Sequence, residues 1–150
     1  MLRLSKKADY ALMAVRHLAL PDGPSSTSAR EIAEQYDIPL ELMAKVLQRL
    51  VRAGLLNSTQ GTRGGYTLSR LPAAISVADV IQAIDGPFMV TACSTDNHDC
   101  EQYSKCSIRD PLWQIRERIA ATLDTVTIAE MAATSNAVQA PAAPAAVITR

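Results

Sequence analysis

The order of elements over residues 28–70 is the feature that most restricts how this chain can fold. Ser28 and Glu31 match a capping box at the start of a short helix. After a tight break, Pro39 opens a longer helix that stops at Gly54. Two short extended runs then flank the turn QGTRGG, which indicates a β-hairpin. These parts predict a mainly α fold, a winged helix-turn-helix with a small β-hairpin wing.

Further helices surround this block. We predict one over residues 5–20, one over VADVIQAID, and a long one that opens with Asp110 as its N-cap and Pro111 in its first turn. The long helix carries an apolar stripe at helical spacing that needs a partner surface: Leu112, Ile115, Ile119, Leu123 and Val126. Thr127 and Glu130 then match another capping box.

Four segments follow from this pattern. We expect a DNA-binding domain over residues 1–88 and a cysteine loop over residues 89–109. A long dimerisation helix and a short following helix occupy residues 110–134. The Ala/Pro-rich residues 135–150 have no apolar period, so we expect them to form a disordered tail.

Charge is unevenly distributed although the net charge is zero. Residues 1–70 hold ten Lys/Arg and six Asp/Glu, a net of +4, whereas residues 71–150 hold five and nine, a net of −4. A basic front half favours nucleic-acid binding. The apolar runs are too short to cross a bilayer, and an odd number of cysteines fits a reducing compartment. We therefore expect a cytoplasmic protein with no membrane segment.

Polar residues of the third helix and the hairpin are candidates for contacts with double-stranded DNA. On that helix, four long side chains share one face at spacings of four, three and four residues: Glu41, Lys45, Gln48 and Arg52. Such side chains reach base edges and phosphates in a major groove. At the hairpin tip, Arg63 suits a narrow minor groove, and Gly64 and Gly65 allow close approach to a phosphate. The alternatives are a solvated helix face and an ordinary turn.

The three cysteines of the chain lie within the stretch CSTDNHDCEQYSKC, at Cys93, Cys100 and Cys106. Three thiolates on one loop can hold most of a metal or iron–sulfur site. A thiol switch or a zinc site on the same fold is the alternative. An enzyme is not expected, because the sequence has no C-x-x-C pair, no paired acid and base, and no glycine-rich nucleotide loop.

Four parts of the sequence together resemble the bacterial Rrf2-type regulators, a family that includes IscR and NsrR: the opening MLRLSKKADYALMAVRHLAL, the hairpin GTRGGYTL, the three cysteines and the late TVTIAEMA. The likeness covers residues 1–134 in an uninterrupted order. It implies a homodimeric winged-helix repressor or activator whose long helix pairs with its mate. It also implies that the three cysteines ligate an iron–sulfur cluster.

The residue that would serve as the fourth ligand of such a cluster is not identified by these motifs. Two-iron members of the family carry a histidine three residues after the third cysteine, where this chain has Arg109, which cannot ligate. His98 is one substitute, although an exposed loop histidine is the alternative. Asp9 is another, because it resembles an aspartate of the nitric-oxide-sensing members that completes a four-iron cluster on the other subunit. A surface carboxylate is the alternative for Asp9, and we expect a four-iron rather than a two-iron cluster.

Overall fold

Six α-helices and one antiparallel hairpin form the structure, a computed structural model that describes residues 3–91 and 100–134. The mainly α fold class with a small hairpin is confirmed. The predictions for Cys93, His98 and the tail of residues 135–150 lie outside the described residues. The elements are α1 (Lys6–Leu18), α2 (Ala29–Gln35), α3 (Leu40–Arg52), β1 (Leu56–Thr59), β2 (Gly65–Leu68), α4 (Val77–Asp85), α5 (Arg109–Thr125) and α6 (Ile128–Ala133).

Helices α2 and α3 are joined by a tight turn in which Asp37 has a φ of 53°. The capping box predicted for α2 is present: the Glu31 amide donates to the Ser28 hydroxyl at 3.2 Å, and the Ser28 amide donates to the Glu31 carboxylate at 2.7 Å. Pro39 is the N-cap residue of α3 rather than its first helical residue, so α3 begins one position later than predicted. The turn fixes the direction of α3 relative to α2, and thereby which face of α3 lies at the surface.

The hairpin pairs β1 with β2, from Leu56 opposite Leu68 to Thr59 opposite Gly65. A third stretch of chain joins it, because Thr27 and Tyr66 exchange backbone hydrogen bonds of 3.2 and 2.8 Å. Since Thr27 directly precedes the N-cap of α2, this bridge ties the hairpin to the helix-turn-helix.

The core lies where α1, α3 and α4 meet. Helix α1 contributes small side chains, with Ala8, Ala11 and Ala14 fully buried, which lets its neighbours pack closely against it. Burying each larger apolar side chain contributes about 1.5–3 kcal/mol. The largest fully buried side chains include Ile32, Met43, Leu47, Leu50, Leu56, Ile75 and Ile128.

Helix α6 returns to this core although it follows α5 in the chain. Its first residue, Ile128, is fully buried, and the Ile128 amide donates to the Ile75 carbonyl at 2.9 Å. The Arg16 guanidinium of α1 donates to the Met131 and Thr134 carbonyls at 2.9 and 3.0 Å. These bonds satisfy carbonyls at the end of α6, so the far end of α5 is joined to the body that carries α3.

Helix α5 packs on α4 but has no buried residue. Its predicted start was wrong by two residues: Arg109 opens the helix, and Asp110, predicted as the N-cap, lies in the first turn, where it pairs with Arg109 at 2.9 Å. Ile108 occupies the N-cap position and makes no side-chain capping bond. The Arg116 guanidinium donates to the Phe88 carbonyl at 2.8 Å, which joins α5 to the segment that follows α4.

Candidate functional site

The predicted DNA-reading face of α3 is exposed along its length, at Glu41, Lys45, Gln48 and Arg52. Three of these four side chains also line one groove of about 490 Å³. Glu41 is not part of that lining. The groove extends beyond α3, because Lys7 of α1 and Ile84 of α4 lie along it.

Four cationic side chains and no carboxylate line this groove: Lys7, Lys45, Arg49 and Arg52. One hydrogen-bond donor of Arg49 is already used within the chain, since its guanidinium donates to the Ile84 carbonyl at 3.0 Å. Sequence reasoning did not find Lys7 or Arg49. Lys7 belongs to another helix, and only the packing of α1 against α3 and α4 brings it to the same groove. A groove with this charge suits a polyanion.

The hairpin tip exposes Arg63 and gives its two glycines a role within the chain. A Cβ added at Gly64 would overlap the Thr59 carbonyl oxygen. A Cβ added at Gly65 would lie 2.8 Å from the Thr27 carbonyl oxygen, closer than two such atoms can approach. Both glycines therefore allow the hairpin to close and to dock on Thr27, whatever else approaches the tip.

Two of the three cysteines lie within the described residues, on either side of a 3₁₀ turn over Tyr103–Lys105. Cys100 and Cys106 are both free and half-buried. The Tyr103 amide donates to the Cys100 carbonyl at 3.0 Å, which starts the turn, and Cys106 ends it. The two thiols are thus held by one turn immediately before α5.

Arg109, at the position where two-iron members carry a histidine, braces this turn. Its guanidinium donates to the Tyr103 carbonyl at 3.1 Å and lies 4.5 Å from the centre of the Tyr103 ring. The hydrogen bond and charge of Asp110 raise the pKa of Arg109, and the Cys106 thiol adds a smaller contribution in the same direction. Arg109 therefore supplies a permanent positive charge beside the cysteine loop.

Asp9 lies half-buried on the first turn of α1, in a cleft of about 640 Å³ with Arg3, Ser5 and Lys6. Over residues 3–91 and 100–134, no three Cys, His, Asp or Glu side chains lie close enough to hold a metal ion. Among the described residues, Asp9 therefore does not join Cys100 and Cys106 of its own chain in such a group.

No helix in the described part of the chain is long and apolar enough to cross a membrane. The family profile Rrf2, described as an iron-dependent transcriptional regulator, matches residues 4–134. The repressor NsrR of Streptomyces coelicolor is 32% identical over 133 residues, which cover 88% of this chain and 89% of that protein. The regulator IscR of Yersinia pseudotuberculosis is 32% identical over 131 residues, which cover 87% and 79%.

A solved structure of CymR, the global cysteine regulator of B. subtilis, aligns with a TM-score of 0.69 and 29% identity over 88% of this chain and 97% of that one. The relatives are transcriptional regulators, which agrees with the prediction that this protein is not an enzyme. The match to the family profile spans residues 4–134, which is nearly the whole described chain. The protein is a member of the Rrf2 family of transcriptional regulators.

Proposed function

We propose that this chain is a cytoplasmic, homodimeric, sequence-specific DNA-binding regulator. It senses redox state, nitric oxide or iron–sulfur status through an iron–sulfur cluster on Cys93, Cys100 and Cys106. One observation carries the proposal: α5 begins at the cysteine loop and ends at residues hydrogen-bonded into the body that presents α3. A change in the loop therefore has a continuous physical route to the DNA-reading helix.

For DNA, α3 enters the major groove with its exposed face, and the hairpin follows the backbone into the adjacent minor groove. Glu41 and Gln48 are the candidates for contacts with base edges, and Lys45 and Arg52 for contacts with phosphates. Arg63 is the minor-groove candidate. Gly64 and Gly65 contribute by keeping the tip narrow enough to approach the duplex.

The DNA assignment is tested by the salt dependence of binding to a duplex that the wild-type protein selects from a randomised pool. Losing a phosphate contact should weaken binding and reduce the slope of log affinity against log salt by about 0.9 per contact. We expect this for Lys45→Ala and Arg52→Ala. Arg118→Ala, which removes an exposed cation of α5, is the matched control. Unchanged affinity and slope in the two α3 variants would reject this DNA-binding face.

Dimerisation is proposed through the apolar stripe of α5. Two residues of this stripe, Ile115 and Val126, are 45% and 37% exposed in the single chain. Apolar side chains clustered on one helix in this way stabilise a protein only when a second surface covers them. A second copy of α5 presents the same stripe, so two chains can bury it mutually around a twofold axis.

The described residues suit an iron–sulfur cluster by their chemistry. Cys100 and Cys106 are free, half-buried thiols, which are soft ligands. The amides of the first turn of α5 lack a side-chain cap, and together with Arg109 they favour a negatively charged group beside the loop. A bound cluster would supply iron that reacts with oxygen or nitric oxide. Asp9 of a second subunit is the proposed fourth ligand, and as a hard oxygen donor it would be displaced more easily than a thiolate.

The alternative is a thiol switch or a zinc site on the same DNA-binding fold. The presence of two free thiols on one short turn supports it. Colour separates the two proposals, because an iron–sulfur cluster absorbs visible light and zinc or reduced thiols do not.

A further inference from the structure

The basic groove beside α3 reaches a helix that sequence reasoning did not connect with DNA. Lys7, on the first turn of α1, lines the groove together with Lys45, Arg49 and Arg52. Its neighbour Lys6 does not line the groove and instead lies 5.6 Å from the centre of the Tyr10 ring. Two adjacent lysines with equal charge thus point to different parts of the surface.

Hydrogen bonds to the end of α4 fix the two helices, α1 and α3, that form the sides of the groove. The Ser5 amide and hydroxyl donate to the Asp85 carboxylate at 3.1 and 2.5 Å, which fixes the start of α1 to the end of α4. Arg49 fixes α3 to the same end of α4 through the Ile84 carbonyl. The start of α1 and the C-terminal half of α3 are therefore held in a fixed relation, as a site for a rigid ligand requires.

The charges of the groove indicate what it binds. The ion pairs of the described chain are Arg109–Asp110 and Arg116–Glu117. Within the described residues, no carboxylate therefore pairs with Lys7, Lys45 or Arg52, and these cations can pair with a ligand. Asp85, the carboxylate at the end of α4, already accepts two hydrogen bonds from Ser5. An open, cationic groove continuous with a recognition helix fits a phosphodiester backbone.

We infer that Lys7 binds a DNA backbone phosphate, and that the DNA-binding surface extends from α3 across this groove to the start of α1. The inference rests on the proposed DNA binding and adds a residue from a second element to it. A phosphate contact carries no sequence information, so Lys7 contributes to affinity and to the orientation of α3 on the duplex.

Lys6→Ala and Lys7→Ala provide a matched pair of variants, since each removes one exposed lysine from the same helical turn. Binding of the full-length protein to the fluorescently labelled selected duplex is measured by anisotropy between 50 and 200 mM KCl. Lys7→Ala should reduce the salt slope by about 0.9. Between 50 and 200 mM KCl, the affinity of the wild type should therefore decrease by a factor about three to four times larger than the factor for Lys7→Ala. Lys6→Ala should keep the wild-type slope, and Lys7→Arg should restore it.

Equal slopes for Lys7→Ala and the wild type, or an equal loss in Lys6→Ala, would overturn the inference. Lys45→Ala and Arg52→Ala separate this failure from a failure of the proposed function. If they lower the slope and Lys7→Ala does not, the interface stops at α3. If none of the three changes it, DNA binding through this face fails as well. Lys7→Gln repeats the test with a longer neutral side chain, and circular dichroism checks that each variant is folded.

Discussion

The DNA-reading half, formed by α1–α4, the hairpin and α6, differs from α5 and the cysteine loop in where its apolar side chains go. In the DNA-reading half, side chains such as Leu47, Ile75 and Ile128 are fully buried within the chain. Helix α5 buries none. Of six large exposed apolar side chains in the described residues, four lie between Ile108 and Val126. One region is thus stabilised by its own chain, and the other carries surfaces suited to partners.

Breaking the proposed α5 interface should have the largest effect. Ile115→Glu combined with Ile119→Glu places two charges in the apolar stripe. Burying these unpaired charges costs more free energy than burial of the remaining apolar side chains of the stripe contributes. We expect sedimentation to show a monomer whose circular dichroism keeps the helical signal of the DNA-reading half.

The control for that variant is Gln114→Glu combined with Ala121→Glu, which adds two acidic groups on the opposite, exposed side of the same helix. This variant should remain a dimer. A dimeric Ile115→Glu, Ile119→Glu protein would show that the chains associate elsewhere.

Replacing a buried side chain of α6 tests whether α6 belongs energetically to the DNA-reading half. Ile128→Ala should lower the free energy of unfolding by about 2–5 kcal/mol, the usual cost of truncating a buried isoleucine. Leu71→Ala is the control, because Leu71 is 77% exposed and its loss should change stability by less than about 0.5 kcal/mol. Urea denaturation at one fixed protein concentration measures both. Equal midpoints would mean that α6 is a loosely attached appendage.

The same division explains which parts of the fold could be predicted from the sequence. Helix α4 matches the predicted stretch VADVIQAID, and the capping boxes at Ser28 and Thr127 form both of their hydrogen bonds. These signals are local, since each cap needs residues only three positions apart. The predicted start of α5 at Asp110 is wrong because the actual N-cap residue, Ile108, makes no side-chain capping bond and so carries no capping signal in the sequence.

The candidate site divides in a similar way. The exposed face of α3 followed from helical spacing, and the structure exposes all four predicted residues. Lys7 could not be found, because it joins the groove only through the packing of α1 on α3 and α4. The reason for Gly64 and Gly65 also differs from the predicted one, since steric contact with Thr59 and Thr27 already requires them.

Removing the cap of α4 should have a smaller effect than a core truncation. The Ser76 hydroxyl accepts a hydrogen bond from the Asp79 amide at 3.0 Å and donates one to the Asp124 carboxylate of α5 at 3.3 Å. Ser76→Ala should cost about 1 kcal/mol in the free energy of unfolding. Ser58→Ala, which removes an exposed hydroxyl of β1, is the control in the same urea experiment. A Ser76→Ala protein as stable as this control would mean that the cap contributes nothing.

The smallest effect on folding is expected at Asp9, where only the proposed cluster should respond. Asp9→Ala should leave a cluster that assembles without oxygen but decays faster in air or nitric oxide, because the partner subunit's oxygen ligand is lost. The decay of visible absorbance measures this. His98→Ala should decay like the wild type. If His98→Ala accelerates the decay and Asp9→Ala does not, the fourth ligand lies in the loop and a two-iron site replaces the four-iron one.

The central claim is that the surfaces of α5 and the cysteine loop belong to a dimer that holds an iron–sulfur cluster. The most direct measurement is anaerobic purification of the wild type and of Cys100→Ala, with an optical spectrum and an iron count for each. We expect a coloured wild-type dimer with about four iron atoms per protomer, and a colourless, folded Cys100→Ala protein without iron. A colourless wild type, or an iron-replete Cys100→Ala protein, would contradict the claim.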